Sequence, residues 1–379
     1  YKLAEVCDVE KEEAKWGALL FLSSAIFFYT EVIMSGYDVI SASFTLLGIY
    51  GYLKKNNKCF VISFSLAIAM KMFAVWIFIP LLLLKEKRIW RILVYGVEGL
   101  AALVVPKIYF AVASHRYIVN LMIEYTVAAG GKAEEVQDSS YGNAANGIID
   151  HAEAVVNNAL FPTGKEAEYT FLTMDTLPLV FVGMFAIWIF CYLYKREMEK
   201  RQIIYLCAVS MSTFILTVKL HPQWSIILVP YLVLIILFHP GRMKENLILE
   251  SVFSLGFVLN KAIFYKWTCN LNLIEYMTMP QHTFSYALEE GGSAYGFSHY
   301  VARLGEKIGI SEDNFAFLFK AAVVVGLIMF LIWNYPGRAK EDGDFKVDFA
   351  KRRQWLLVRF GISCLVGMLP MVGLIQYLA

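Results

Sequence analysis

Apolar runs of about 16 to 26 residues, separated by short polar or basic stretches, recur along the whole chain. A bilayer core takes about 20 apolar residues per helix, and lipid leaves every backbone polar group to be satisfied within the chain. The pattern therefore predicts an all-α, polytopic transmembrane helical bundle, with residues 1–379 as a single transmembrane domain. Spans are expected at about 16–34, 37–53, 92–113, 175–194, 203–218, 225–238, 247–265, 315–334 and 355–378, after an amphipathic helix over 1–15. The run from Cys59 to Leu84 is too short for two full spans at about 1.5 Å per residue, and Lys71 interrupts it. Basic clusters flank it on both sides: Lys54, Lys55 and Lys58 before it, and Lys85, Lys87, Arg88 and Arg91 after it. Both clusters belong on the cytoplasmic side. A pair of short or re-entrant helices turning near Lys71 meets both conditions, giving ten or eleven spans in all. Half-helices of this kind persist where protein covers their backbone or a cavity solvates it.

Charge sets the orientation. The loops assigned to the cytoplasm, including 335–354, hold 22 of the 34 Lys and Arg. The long loops 114–174 and 266–314 hold six and are assigned to the extracytoplasmic side. Glu31, Gly36-Tyr37-Asp38, Lys71 and the stretch Lys219-Leu220-His221-Pro222-Gln223-Trp224 then fall on the outer side with both long loops.

Composition agrees with a membrane protein: 58% of residues are hydrophobic and 17% charged, against about 25% charged in soluble domains. The net charge of +2 is spread over short clusters, which argues against nucleic acid as a partner. Six cysteines without CxxC spacing suggest neither a disulfide framework nor zinc. His282 and His299, beside Glu289 and Glu290, fit no standard metal spacing, and Asp342-Gly343-Asp344 reads as a solvated turn. No metal and no cofactor is expected.

The candidate chemistry lies at the outer face. Asp38 follows a glycine and an aromatic, with Glu31 about two turns below, and ionisable groups at such depth mark function by default. Asp38 can equally cap a helix beginning at Val39. Lys71 offers a point charge for a phosphate, or snorkels to the interface. Lys107, Lys219 and Lys261 near the outer span ends form a cationic rim at headgroup level, or snorkel singly. Pro222 ends a helix at His221, where His221 and Gln223 offer hydrogen bonds and Trp224 a flat face for a sugar. The plainer role of that turn is a cap with an interfacial tryptophan. Glu98 and Glu250, nearer the inner ends, read as structural or ion-pair partners.

Taken together these stretches resemble the GT-C superfamily of integral-membrane glycosyltransferases, which use polyprenyl-phosphate-linked sugars. Ser35-Gly36-Tyr37-Asp38 is similar to the G-x-x-D hairpin of its mannosyltransferase-like members. Ala67 to Pro80, with Leu81 to Leu84, looks like their K-x-x-x…P-L-L-L segment. His221-Pro222-Gln223-Trp224 with Pro230 resembles their H-P-Q-[aromatic]…P hairpin. The resemblance covers most of residues 1–240 and rests on short motifs in fixed order. It implies a catalytic carboxylate in a first outer loop after an initial span. Such a span and loop are expected to precede Tyr1 and to carry that acid, or else the acid is Asp38 or Glu31.

The resemblance further implies transfer of a hexose or mannose-like sugar, at the extracytoplasmic face of the plasma membrane, from a polyprenyl-phosphate donor to a glycan or lipid acceptor. Among membrane lipids, the donor phosphate is expected at Lys71 and Lys219. Gly36, Tyr37, His221, Gln223 and Trp224 would contact substrate. Two other readings stand beside it: a transporter or flippase of lipid-linked or polar substrates, and a polysaccharide polymerase or ligase. The latter would want outer arginines, for which Arg116 and Arg303 are the candidates.

Overall fold

The computed structural model describes residues 1–33, 36–113, 179–218, 221–263, 266–268, 271–272, 305, 307–336 and 353–365. The loop 114–174, Lys219, Arg116, His282, His299, Arg303 and Asp342 to Asp344 lie outside them, as do most of 266–314 and 335–354. In chain order the helices are α1 (Lys2–Val6), α2 (Lys11–Leu22), α3 (Ala25–Phe27), α4 (Asp38–Leu53), α5 (Asn57–Met70), α6 (Val75–Lys85) and α7 (Ile89–Ala113). They continue with α8 (Leu179–Leu193), α9 (Lys200–Thr217), α10 (Val229–Phe238), α11 (Met243–Ile263), α12 (Glu312–Trp333) and α13 (353–365). The described strands are one short antiparallel pair, Lys266–Thr268 with Leu271–Asn272.

Local chemistry sets several boundaries. Asp8 adopts a left-handed φ of 63° and ends α1, so residues 1–15 are not one amphipathic helix. The Asn56 side chain accepts the Cys59 N–H at 3.1 Å and starts α5, and Ser311 caps α12 through Asn314 N–H. Lys71 is extended, with φ −152° and ψ 123°, between α5 and a 3₁₀ turn, Met72–Ala74, leading into α6. The expected break at Lys71 is therefore present.

The expected first span, 16–34, is not a continuous helix. Ser24 is extended (ψ 136°) between α2 and α3, and α3 runs into a π-helical turn, Phe28–Ile33. Ser24 Oγ donates to Glu250 Oε1 at 3.2 Å, and Thr30 Oγ1 donates to Ile26 O at 2.9 Å. Short hydroxyl side chains bonding in this way compete with the regular helical ladder.

Breaks of this kind reduce the number of helices fit to span a bilayer. Among the described residues two are long and apolar enough, Ile89–Tyr109 and Asn314–Trp333. A third is counted if Pro222–Phe238 and Pro240–Lys261, bent by 104°, form one broken span. The helices α4, α5, α8 and the Met72–Lys85 segment are apolar but shorter.

The chain forms two compact units, described separately. The first comprises 1–42, 196–212 and 220–379, and the second 43–195 with 213–219. In the first unit α10 is buried on all sides, which suits a helix with no polar face. It packs on α2, where a Cβ on Gly17 would come within 2.6 Å of Leu237. The α11 and α12 backbones approach closely, since a Cβ on Gly326 would stand 3.0 Å from Phe253 N and one on Gly256 3.0 Å from Ala322. Lys261, expected at an outer rim, is instead 1% exposed within this unit. It lies on α11, which packs along α12. Lys107 is exposed.

In the second unit α5 packs along α7 and α6 along α8. Phe60, Phe64 and Phe78 have ring centroids 5.3 to 5.4 Å apart and form its core. Lys85 Nζ stands over the Tyr52 and Phe60 rings at 5.5 and 5.2 Å, a cation–π contact at the basic end.

Candidate functional site

Two segments that the sequence marks independently meet in the first unit. The π-helical turn Phe28–Ile33 packs against the 3₁₀ helix Pro222–Ile227. π-Helical turns inserted in helices are frequent at functional sites. Pro222 opens the 3₁₀ helix, with extended His221 before it (ψ 135°), and Ser225 Oγ donates to Pro222 O at 2.7 Å. Proline has no N–H to lose at that position and its fixed φ suits the first turn.

Gly36 closes the other segment. Its N–H donates to Thr30 O at 2.9 Å. A Cβ at this position would lie 2.7 Å from Thr30 O, 3.3 Å from Glu31 Oε1 and 3.4 Å from Gln223 Cβ. Close approach, rather than an unusual φ, is what requires glycine here. Gly36 thus brings the Glu31 carboxylate and Gln223 to one place.

Glu31 Oε1 and Gln223 Oε1 are both buried and have no hydrogen-bond partner among the described residues. Buried polar groups are normally satisfied, so these two acceptors, on residues that both approach Gly36, call for hydrogen-bond donors. Asp38 is 1% exposed as the first residue of α4. It stands near enough to Glu31 for the two carboxylate charges to repel. Tyr37 is exposed at 58%. His221 is exposed and Trp224 half-buried, with ring centroids 5.2 Å apart and tilted by 59°, and Trp224 N–H donates to His221 O at 3.0 Å.

Lys71 belongs to the second unit, where it is half-buried. Nearby in that unit Trp76 and Trp188 stack at 5.9 Å, with the Phe214 ring 5.8 Å from Trp76 and 6.4 Å from Phe73. Lys219 lies outside the described residues. Among the described residues no three His, Cys, Asp or Glu side chains converge as a metal would require.

Sequence reading missed one group. Glu250 pairs with Arg359, Nη2 to Oε2 at 2.8 Å, and takes hydrogen bonds from Ser24 and Ser254. The sequence reads Glu250 as structural or as an ion-pair partner, without naming the cation. That cation lies far later in the chain, so no local pattern names it. Glu98 is exposed on α7 and pairs with no described cation.

No protein-family profile, curated protein or solved structure matches this chain.

Proposed function

We propose that this protein is a polytopic, GT-C-like membrane glycosyltransferase acting at the extracytoplasmic face. It moves a hexose or mannose-like sugar from a polyprenyl-phosphate donor to a glycan or lipid acceptor. The observation that carries the reading is the meeting of Glu31, Gly36 and Gln223, with two buried acceptor oxygens that have no donor among the described residues. A sugar supplies hydroxyl donors in the density such a place demands. Two carboxylates, Glu31 and Asp38, stand together there with an amide and an aromatic pair.

In the proposed reaction an acceptor hydroxyl oxygen attacks the anomeric carbon. Its proton passes to the Glu31 or Asp38 carboxylate as general base. The bond from the anomeric carbon to the donor phosphate oxygen breaks, and its electron pair leaves with the lipid phosphate. A fixed cation beside that phosphate would stabilise the charge that grows there. Gln223, His221 and Trp224 hold the sugar.

The test is transfer of label from a radiolabelled polyprenyl-phosphate hexose to acceptor by the full chain in reconstituted vesicles. Glu31→Gln and Gln223→Ala are expected to lose most of the rate, and Lys71→Ala likewise. Movement of the labelled lipid across the bilayer with its glycosidic bond intact overturns the transferase in favour of a flippase.

A further inference from the structure

A second site lies in the other unit, in a groove between α5 and α7, and it does not depend on the transferase reading. The two helices run in the same direction. Asn57 Nδ2 donates to Tyr95 Oη at 3.4 Å at one end, and Ser65 Oγ accepts the Ala102 N–H at 3.0 Å eight residues further along α5. That separation is about 12 Å at the α-helical rise. Between these two cross-links the groove has a volume of about 480 Å³, within the range of small-ligand sites.

Its polarity is graded along its length. Lys58, exposed, stands at the mouth with Asn57 and Tyr95, close in sequence to Lys54. Glu98 comes next, three residues beyond Tyr95 and so roughly 4.5 Å deeper. Ile62, Leu66 and Ala101 line the remainder. The α7 helix is one of those long and apolar enough to span a membrane, and described residues bury 6% of its apolar window, so in a bilayer this surface would face lipid.

Any acyl chain will wet an apolar groove. The carboxylate makes this one selective. On a helix that spans a bilayer such a charge is costly unless it meets a partner, and no described residue pairs with Glu98. The occupant must therefore place an anion at Lys58, a hydrogen-bond donor at Glu98 and one chain beyond it. We propose that the groove binds a lysophospholipid: phosphate on Lys58, the free glycerol hydroxyl donating to Glu98, and the single acyl chain along Leu66 and Ala101. A two-chain phospholipid replaces that hydroxyl with an ester, which sets acceptor oxygens against the Glu98 carboxylate.

The experiment is native mass spectrometry of the full chain in detergent, titrated with oleoyl lysophosphatidic acid, dioleoyl phosphatidic acid (which has no free hydroxyl on its glycerol) or neutral monoolein. The lysophospholipid is expected to bind about tenfold or more tighter than either, as one charge-assisted hydrogen bond allows. Lys58→Glu should abolish the preference over monoolein, and Glu98→Ala the preference over the two-chain lipid. Both alter exposed side chains, so the folded chain remains available for measurement. Ala101→Phe should weaken all three ligands by filling the groove. Equal binding of the one- and two-chain lipids, or lysophospholipid binding unchanged in Glu98→Ala and Ala101→Phe, overturns the proposal.

Discussion

Arg359 Nη2 lies 2.8 Å from Glu250 Oε2, with the two side chains 7% and 1% exposed. Ser24 and Ser254 complete the Glu250 environment by donating to Oε1 at 3.2 and 2.6 Å. Ser363, one turn beyond Arg359 on α13, donates to Ser23 O at 2.8 Å. The pair thus ties α13 to α11 and to the break between α2 and α3. A cavity of about 10 Å³ adjoins it, lined by Ser251 and Ser363 among others, close to the smallest space that holds one water.

Removing one member of a buried pair leaves the other charge uncompensated. Arg359→Met is therefore expected to destabilise the first unit by about 3–5 kcal/mol, and Glu250→Leu by a similar amount. The double variant should recover a large part of the loss. A thermal-denaturation double-mutant cycle measures this, and additive losses would show that the pair is not coupled.

Gly36→Ala tests the site without touching a charged group. The added methyl would sit 2.7 Å from Thr30 O, a backbone atom, and 3.3 Å from Glu31 Oε1, so the backbone must shift and Glu31 with it. The expected outcome is a fall in sugar transfer per folded molecule of about tenfold or more, as displacement of a catalytic group by about 1 Å allows. Unchanged transfer would remove Gly36 from the site.

Lys87 ties two helix ends together in the second unit. Its Nζ donates to Leu83 O on α6 and to Cys191 O on α8, both at 2.6 Å. Late carbonyls of a helix lack intrahelical donors, and a charged donor serves both. Lys87→Met should cost about 1.5–3 kcal/mol, read as faster amide hydrogen exchange at the ends of α6 and α8. Exchange faster at one end alone would show that the bridge is not shared.

Cys7 is 1% exposed, and burial pushes its thiol up to about 12. The folded chain therefore holds this proton where the unfolded chain, with a thiol near about 8.5, has lost it. Stability from this group is present below that value and falls as pH rises toward 12. Iodoacetamide at pH 8.5 should spare Cys7, and alkaline destabilisation should diminish in Cys7→Ala. Rapid native-state alkylation of Cys7 would contradict its burial.

Local pattern was enough to establish the helical class, the break at Lys71 and the break at His221. Each follows from a conflict between an apolar run and a charge or a proline. The same pattern marked Glu31, Gly36, Asp38 and Gln223 as chemically unusual for their surroundings. That Glu31 and Gln223 meet is a product of folding, because the contact joins segments far apart in the chain through a glycine with no room for a Cβ. Folding likewise buries Lys261 and pairs Glu250 with Arg359. The apolar run 16–34 carried no sign of the break at Ser24, and the separation of spans 225–238 and 247–265 gave no sign of how sharply the chain bends there. A serine hydroxyl reaching a distant carboxylate and a 104° bend between packed helices are settled by partners elsewhere in the chain. Hydropathy records what each residue prefers to avoid, whereas burial and pairing depend on which neighbours the fold supplies.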